Sequence, residues 1–346
     1  MFDFLPSCLR RHKKKLLFLG GVVGGVAFFN SYLKRKFIEW EKQRATDVCD
    51  QIKKSNHFES TMMTCDSTFA TFTRKIRDIV VRDVEVDDVV HDLKQQPTNK
   101  LHLWEQLKIL VFTQVIGEMY AQCLLCILLR VQMCILSGYF FATRSTNANS
   151  TEQQQKYMSH IEVFMLNGLR KLLVQVRCAC ARNLKNYALD QPMRLQDIED
   201  IIIDIQADIN ISDSKVLPDI SDLLLYSSES SRKPSDDKFL DEIKAETKDV
   251  LECDDFKDVL DACVTCGITF IMDQMSECYA FLSSTTEDFV NLNEYTTHLA
   301  KLIPTVHNLH SQHDPSGEAG LAHALVQNEK LNNFAANIYE AFSEKC

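Results

Sequence analysis

The sequence predicts an all-α protein, a single large bundle of long helices preceded by an N-terminal transmembrane helix. Only 10 Gly and 7 Pro occur among 346 residues, so turn signals are sparse and connections between helices are few. Runs of alternating β-branched residues that end in hairpin turns, which are typical of strands, are missing from the sequence. A long apolar stretch at 97–136 is the third observation, and the other elements are organised around it.

This stretch, 97–136, has the pattern of a central helix that begins after a break at Pro97. From Leu101 onward apolar residues recur at helical spacing, and after residue 122 the stretch is apolar on nearly every side. A helix of this kind lies either in a protein core or in a membrane. Because charged residues such as Glu118 and Arg130 interrupt the run, we interpret it as the core helix of an α-helical domain.

A predicted membrane anchor comes first in the chain. Residues 1–15 end in a basic block, residues 16–33 carry no charge, and a second basic cluster follows at 34–36. About 17–25 apolar residues span a bilayer, and flanking lysines extend toward both interfaces. A cleaved signal peptide is disfavoured, because aromatic residues and the basic cluster follow the run in place of a small-residue cleavage site. We predict a basic segment 1–15, a single-pass anchor 16–33 and an α-helical domain 34–346.

Two signals conflict on the orientation of this anchor. Five Lys and Arg precede the apolar run and three follow it, which favours a cytosolic N-terminus. The chain also has 13 Cys, an odd number and mostly in apolar runs, which is typical of reduced, buried thiols in a reducing compartment. We give the thiols more weight and predict that the domain 34–346 faces the cytosol.

The charge distribution bears on the class of partner. The formal net charge is −10. Residues 1–44 carry ten Lys and Arg against three Asp and Glu, so a net charge of −17 is left for the remainder. An acidic body lacks the basic face that nucleic acids require, and the sequence therefore predicts no nucleic-acid binding.

Cysteine and histidine motifs are the features that would suggest chemistry. Two Cys-x-x-Cys pairs, at 123–126 and 263–266, have the spacing of zinc knuckles, but both lie in apolar helical runs, which favours buried thiols. Three His at 307–313 lie between Pro304 and Pro315, which favours a solvated loop. Fingerprints of hydrolases, nucleotide-binding loops and dinucleotide sites do not occur. We expect a protein that is not an enzyme, with no catalytic residue, no metal and no cofactor.

The remaining elements are predicted from helical periodicity and from breaks in it. Residues 37–96 are expected to be helical, with a break at 57–60. The segment 210–238 contains two prolines and a Ser-rich acidic run, which predicts a disordered loop. A helix that ends at Leu302 is expected before Pro304. Further helices are expected at 156–188, 239–282, 291–302 and 323–343, whereas 195–209 is described by its acidic residues and alternating Ile.

Five blocks of the sequence, taken together, carry a resemblance to a known family. They are RHKKKLLFLGGVVGG at 11–25, HFES at 57–60, NKLHLWEQLK at 99–108, LLRVQ at 128–132 and FAANIYEAFS at 334–343. These blocks resemble the peroxin-3 family, a family of peroxisomal membrane biogenesis factors, and they occur in the same order from end to end. Together they are specific, whereas any one alone would not be. Segments 144–152 and 210–238 fit the family poorly.

The resemblance implies a non-enzymatic function at the peroxisomal membrane. It implies a single anchor, which contacts the membrane lipids through residues 16–33, and a cytosolic helical bundle. It also implies a docking receptor for peroxin-19, the soluble receptor and chaperone of newly made peroxisomal membrane proteins. The insertion of those proteins, and so peroxisome biogenesis, would depend on this docking. In the family, the N-terminal amphipathic helix of peroxin-19 lies in an apolar groove at the membrane-distal end of the bundle.

The predicted binding residues follow from the resemblance and from helical spacing. The family motif NKLxxWExLK is matched at 99–108, so Trp104 takes the central position in the groove. Lys301 matches a second lysine at the groove edge, and Leu93 matches an apolar groove position. Charged and apolar residues of the motif share one helical face, which predicts a basic rim beside an apolar slot. The predicted partner-binding residues are Leu93, Lys100, Trp104, Leu107, Lys108 and Lys301.

Two other classes of function are alternatives. One is a membrane-anchored tether or adaptor for organelle inheritance or autophagy machinery, with the acidic loop at 210–238 as its docking segment. The other is a membrane-anchored thiol or metal enzyme that uses the Cys pairs or the His residues. Deletion of the loop would show whether a tethering role is separable from peroxin-19 binding, and stoichiometric zinc in the purified protein would favour the enzyme.

Overall fold

The computed structural model describes the backbone of residues 13–95, 98–143, 149–210, 238–284, 294–317 and 320–344. Within these ranges the side chains of 13–34, 37, 38, 41, 149–152 and 210 lie outside the description. The described chain is almost entirely helical, which confirms the all-α class. Its helices are α1 (Lys13–Val84), α2 (Val86–Lys94), α3 (Lys100–Thr143), α4 (Asn149–Val163), α5 (Leu169–Leu184), α6 (Leu195–Asn210), α7 (Lys238–Glu252), α8 (Asp254–Ser283), α9 (Leu299–Gln312), α10 (Leu321–Val326) and α11 (Glu329–Ser343), with a π-helical turn Phe164–Gly168 between α4 and α5.

Contacts within the chain separate two compact units, Met1–His57 and Phe58–Cys346. Helix α1 is nevertheless continuous from Lys13 to Val84, so the expected break at 57–60 is wrong. Residues 26–96 contain neither Gly nor Pro, and the polar residues at 57–60 are accommodated in the helix without interrupting its hydrogen bonds.

The predicted anchor at 16–33 lies within α1, where the backbone is helical. Its side chains are outside the described residues, so the anchor stays a prediction. The predicted loop at 210–238 likewise lies outside the described residues, apart from the last residue of α6 and the first of α7.

Helix α3 is the central helix of the second unit, as the sequence predicts. Nearly every side chain from Leu107 to Leu136 is buried, and α3 packs against α2, α5, α8 and α11. Within the described residues, one helix, α3, is long and apolar enough to cross a membrane, yet most of its apolar part is buried inside the protein. The charge of Arg130 is balanced in this core by Asp66, whose carboxylate lies 2.7 Å from the guanidinium.

A short antiparallel bridge that the sequence did not predict joins two connecting segments. Strand β1 (Pro192–Met193) pairs with β2 (Thr297–His298), with Met193 opposite Thr297. The backbone N–H of Ala300 then donates to the carbonyl of Leu189 at 2.9 Å. Two residues are too few to show the alternating pattern of a strand. This bridge holds the start of α9 against the segment 185–191.

Helix α9 corrects the sequence prediction for its region. It spans Leu299–Gln312 with Pro304 inside, so the expected helix end at Leu302 and the expected solvated loop at 304–313 are both wrong. Proline removes one backbone donor from a helix. Leu302, Ile303 and Val306 are buried on either side of Pro304, and their packing maintains the helix across it.

Candidate docking surface on three helices

The residues that the sequence predicts to bind a partner lie on three helices of the second unit. Helix α2 packs against α3, and α9 packs against α3 as well. His307 of α9 lies 3.2 Å, Nε2 to Oδ1, from Asp87 of α2, and this contact links the two outer helices. Leu93 therefore lies on α2, Trp104 on the first turns of α3 and Lys301 on α9, within one three-helix arrangement.

Trp104 lies partly buried in this arrangement and packs against the core. Leu93 is also partly buried, whereas Lys100 is exposed. Leu101, three residues before Trp104, is 71% exposed. The start of α3 and the end of α2 therefore carry partly buried and exposed apolar side chains. We call Leu93, Lys100, Leu101, Trp104 and Lys301 the docking surface.

Leu107 and Lys108 are placed differently from the other predicted residues. Leu107 is 2% exposed and Lys108 is 1% exposed. The Lys108 ammonium donates to the carbonyl of Tyr187 at 2.7 Å and lies 2.6 Å from the Glu105 carboxylate. Lys108 thus does not contribute to a basic rim in this structure, because its charge is used to hold α3 to the segment 185–191. A role of both residues in partner binding stays a prediction.

The exposed cations of the predicted set lie on two different helices. Lys100 is the first residue of α3 and Lys301 is the third residue of α9, and both are exposed. Exposed acidic residues lie on the third helix, α2, at Asp87, Asp88 and Asp92. The surface around the apolar residues therefore carries charges of both signs and is not uniformly basic.

Leu101 is the residue of this surface that the sequence prediction missed. It belongs to the apolar repeat that begins α3, at i, i+3 spacing from Trp104, which places both on one face. That spacing was the available signal. Core and surface residues in such a repeat look alike, however, and the 71% exposure of Leu101 became apparent only from the packing of the helices.

The two Cys-x-x-Cys pairs approach each other in the core between α3 and α8. The Cys123 thiol lies 3.4 Å from the carbonyl oxygen of Cys263. Burial raises the pKa of Cys123 and of Cys126 well above the ordinary value, and raises the pKa of Cys263 to about 12. Among the described residues, no group of three or more His, Cys, Asp or Glu is placed to hold a metal ion. These thiols are protonated core residues and poor nucleophiles.

Thiol labelling of the native protein is expected to follow this difference in burial. Cys49 and Cys178 are exposed, whereas Cys123, Cys126 and Cys263 are buried. With iodoacetamide at neutral pH, the two exposed thiols should react fully before the three buried ones react measurably, because buried thiols are inaccessible and protonated. Peptide mass spectrometry gives the extent at each position, and labelling in denaturant is the control. Equal rates for Cys123 and Cys178 in the native protein would contradict the structure.

The three His residues at 307–313 do not form a cluster but have separate partners. His307 contacts Asp87. His310 is 6% exposed and lies 3.0 Å, Nε2 to Oε2, from the buried carboxylate of Glu118. The carbonyl of His313 accepts a hydrogen bond from Arg77, which also binds Glu118. These residues join α9 to α1 and α3 and so have a structural role.

Comparison with known proteins identifies the family. The family model described as Peroxin-3 matches residues 7–101 and 141–341 of the chain. The chain belongs to the peroxin-3 family. Lys100 and Lys301 lie within the two matched ranges, whereas Trp104 lies in the segment 102–140 between the two ranges. The family assignment confirms the resemblance that the sequence blocks indicate.

Full-length relatives in the peroxin-3 family span almost the whole chain. Peroxisomal biogenesis factor 3 of Cricetulus longicaudatus is 32% identical over 99% of this chain and 98% of its own length. The Homo sapiens protein of the same name is 32% identical over 97% of this chain and 96% of its own. Peroxisome biogenesis protein 3-2 of Arabidopsis thaliana is 23% identical over 79% of this chain and 83% of its own length. Membership of this family supports a role in peroxisome biogenesis.

Proposed function

We propose that this protein is a docking receptor for the chaperone peroxin-19 and that it holds the N-terminal amphipathic helix of peroxin-19 on the docking surface. The observation that carries the proposal is that α2 and α9 both pack against α3, the helix whose first turns carry the partly buried Trp104 and the exposed Leu101. Amphipathic helices bind to apolar surfaces through a few anchors spaced at i, i+3 or i+4, and i+7. The docking surface offers apolar side chains on two helices, Leu93 on α2 and the pair Leu101 and Trp104, three positions apart, on α3.

The energetics of such a complex are favourable. Each apolar anchor that the partner buries contributes about 1.5–3 kcal/mol. The combined contribution of three or four such anchors offsets the cost of about 2–5 kcal/mol for folding a disordered segment on binding. Tryptophan is enriched among the residues that dominate binding free energy, so Trp104 is the residue whose removal should cost most.

Charge contributes to orientation and rate more than to affinity. Lys100 and Lys301 are exposed on separate helices, so each can contact an acidic residue at a different point along the partner helix. Exposed ion pairs contribute little to stability, but complementary charges steer the encounter and set the direction of a bound helix. The acidic residues of α2 would oppose a partner bound in the wrong direction.

The proposal places the docking surface in the cytosol, on a protein anchored in the peroxisomal membrane through residues 16–33. Newly made membrane proteins carried by peroxin-19 would be brought to that membrane when the chaperone docks. Protonated core thiols are consistent with a domain in a reducing compartment. We expect this protein to support the insertion step without catalysing a chemical reaction.

Replacement of Trp104 by alanine tests the proposal. The full chain in nanodiscs should bind a fluorescent peptide with the N-terminal sequence of peroxin-19, as measured by anisotropy. The Trp104→Ala variant is expected to lose at least about 2 kcal/mol of binding free energy, or about 30-fold in Kd. Trp40→Ala is the matched control, because Trp40 is 51% exposed and lies in the first unit, and it should bind like the wild type.

Leu101→Ser is a second variant for the same assay. Leu101 is 71% exposed, so this change should leave the fold intact while it removes an apolar contact, and circular dichroism checks the fold of all variants. Affinity unchanged in folded Trp104→Ala and Leu101→Ser proteins would exclude this surface. Failure of a folded wild type to bind the peptide would favour the tether or adaptor.

A further inference from the structure

A second concave surface lies where α1 ends and α2 begins. It is a cleft of about 330 Å³ between this junction, α3 and α5. Its charged lining consists of Arg82, Asp83, Glu85, Arg170 and Arg177, and we call it the arginine cleft. The volume lies at the lower end of the range for small-molecule sites, roughly 300–1,000 Å³.

Asp83 orients two of the three arginines. Its carboxylate is 13% exposed, and its two oxygens accept from Nε of Arg82 at 2.8 Å and from Nε of Arg170 at 3.4 Å. In the described part of the chain neither guanidinium makes a further hydrogen bond, so the terminal N–H groups of both remain available. A guanidinium that is held in place at Nε presents a planar set of donors that fits phosphate oxygens.

Arg177 adds a third guanidinium to the arginine cleft. It is exposed on α5, one turn beyond Val174, and it makes no hydrogen bond or ion pair with the described residues. Three cations against two carboxylates leave the cleft with a net positive charge. The chain as a whole has a net charge of −10, so a surface that attracts anions differs from its surroundings.

The rest of the lining indicates the kind of anion. Glu85 is exposed in the cleft and is the described non-glycine residue with a positive φ, 60°. Its carboxylate can accept hydrogen bonds from hydroxyl groups but repels phosphate. Val174 is 57% exposed on the opposite wall and can contact a carbon skeleton. A ligand that carries both phosphate and hydroxyl groups on a carbon skeleton is complementary to this arrangement.

We propose that the arginine cleft binds a phosphorylated polyol of the inositol phosphate class, with its phosphate groups on Arg82, Arg170 and Arg177. The polyol hydroxyls face Glu85. This site is separate from the docking surface and does not depend on the function proposed for that surface. The same chemistry occurs in soluble inositol phosphates and in the headgroups of phosphoinositide lipids.

Calorimetric titration tests the site directly. The full chain in nanodiscs without phosphoinositides is titrated with inositol trisphosphate at low ionic strength. We expect saturable binding that weakens with added salt. Arg170→Met and Arg177→Met should each weaken it about tenfold or more, because each removes charge-assisted hydrogen bonds. Arg194→Met is the matched control, since Arg194 is an exposed arginine outside the cleft, paired with Asp197.

A second set of nanodiscs that contain phosphatidylinositol phosphate distinguishes the two sources. If soluble inositol trisphosphate no longer binds in these nanodiscs, the lipid headgroup already occupies the arginine cleft, and the cleft is assigned to the lipid. If its binding is unchanged, the cleft is assigned to the soluble ligand. The proposal is overturned if the wild type shows no saturable binding, if both cleft variants bind as tightly as the wild type, or if Arg194→Met weakens binding as much as they do.

Discussion

Replacement of Glu118 by alanine is expected to lower the free energy of unfolding by about 3–5 kcal/mol, because it leaves buried charge without its partner. Glu118 is 2% exposed in the middle of α3. Its carboxylate accepts from Arg77 at 2.8 Å, from Gln122 at 3.0 Å and lies 3.0 Å from His310. One carboxylate thus joins α1, α3 and α9, and its removal deletes all of these hydrogen bonds at once.

Urea unfolding followed by circular dichroism measures this loss. Glu252→Ala is the control. Glu252 forms an exposed ion pair with Lys248 one turn away, and exposed ion pairs contribute little to the free energy of unfolding. A Glu118→Ala midpoint equal to that of the control would show that the buried network does not stabilise the fold.

The same network predicts a pH dependence. Burial alone would raise the pKa of Glu118, but the hydrogen bonds and positive charges of His310 and Arg77 outweigh burial and lower the pKa below 4.5. In acid the unfolded chain therefore binds more protons at this group than the folded chain does. This part of the stability is complete above about pH 4.5 and is lost as the pH falls through the folded-state pKa. The Glu118→Gln variant should lack this acid-dependent loss.

Replacement of Phe342 by alanine is expected to destabilise the protein by about 3–5 kcal/mol, the usual cost of removing a buried phenylalanine. Phe342 is 5% exposed near the end of α11 and packs against Tyr139 of α3, with ring centroids 5.4 Å apart. Gly138 allows this close approach, because a Cβ at that position would lie 2.7 Å from the Cβ of Phe342. The cavity left by alanine cannot close without movement of α11 against α3.

Thermal unfolding of Phe342→Ala beside Phe281→Ala measures this effect. Phe281 is 64% exposed on α8, so its replacement removes the same atoms with little loss of packing. A similar decrease in Tm for both variants would mean that α11 is not part of the cooperative core. The α3–α11 contact includes the FAANIYEAFS block at 334–343, whose large apolar residues are buried in this packing.

The candidate site was predictable from the sequence only in part. Trp104 and Leu93 lie partly buried on helices that pack together, at positions that the family resemblance indicated. Lys108 has the same helical spacing as its exposed neighbours, yet its ammonium is turned inward to Tyr187, 79 positions away. Periodicity identifies a shared face, but it does not show which part of that face another segment of the chain covers.

Composition, local periodicity and ordered blocks of residues were sufficient to predict the all-α class, the central position of α3, the acidic charge of the body and the family. Three features became apparent only from the folded chain: α9 continues through Pro304, His310 pairs with Glu118, 192 positions away, and Asp83 orients two arginines beside a cleft. These features depend on contacts between distant segments, and the free energy of those contacts outweighs the local preferences by which the sequence was interpreted.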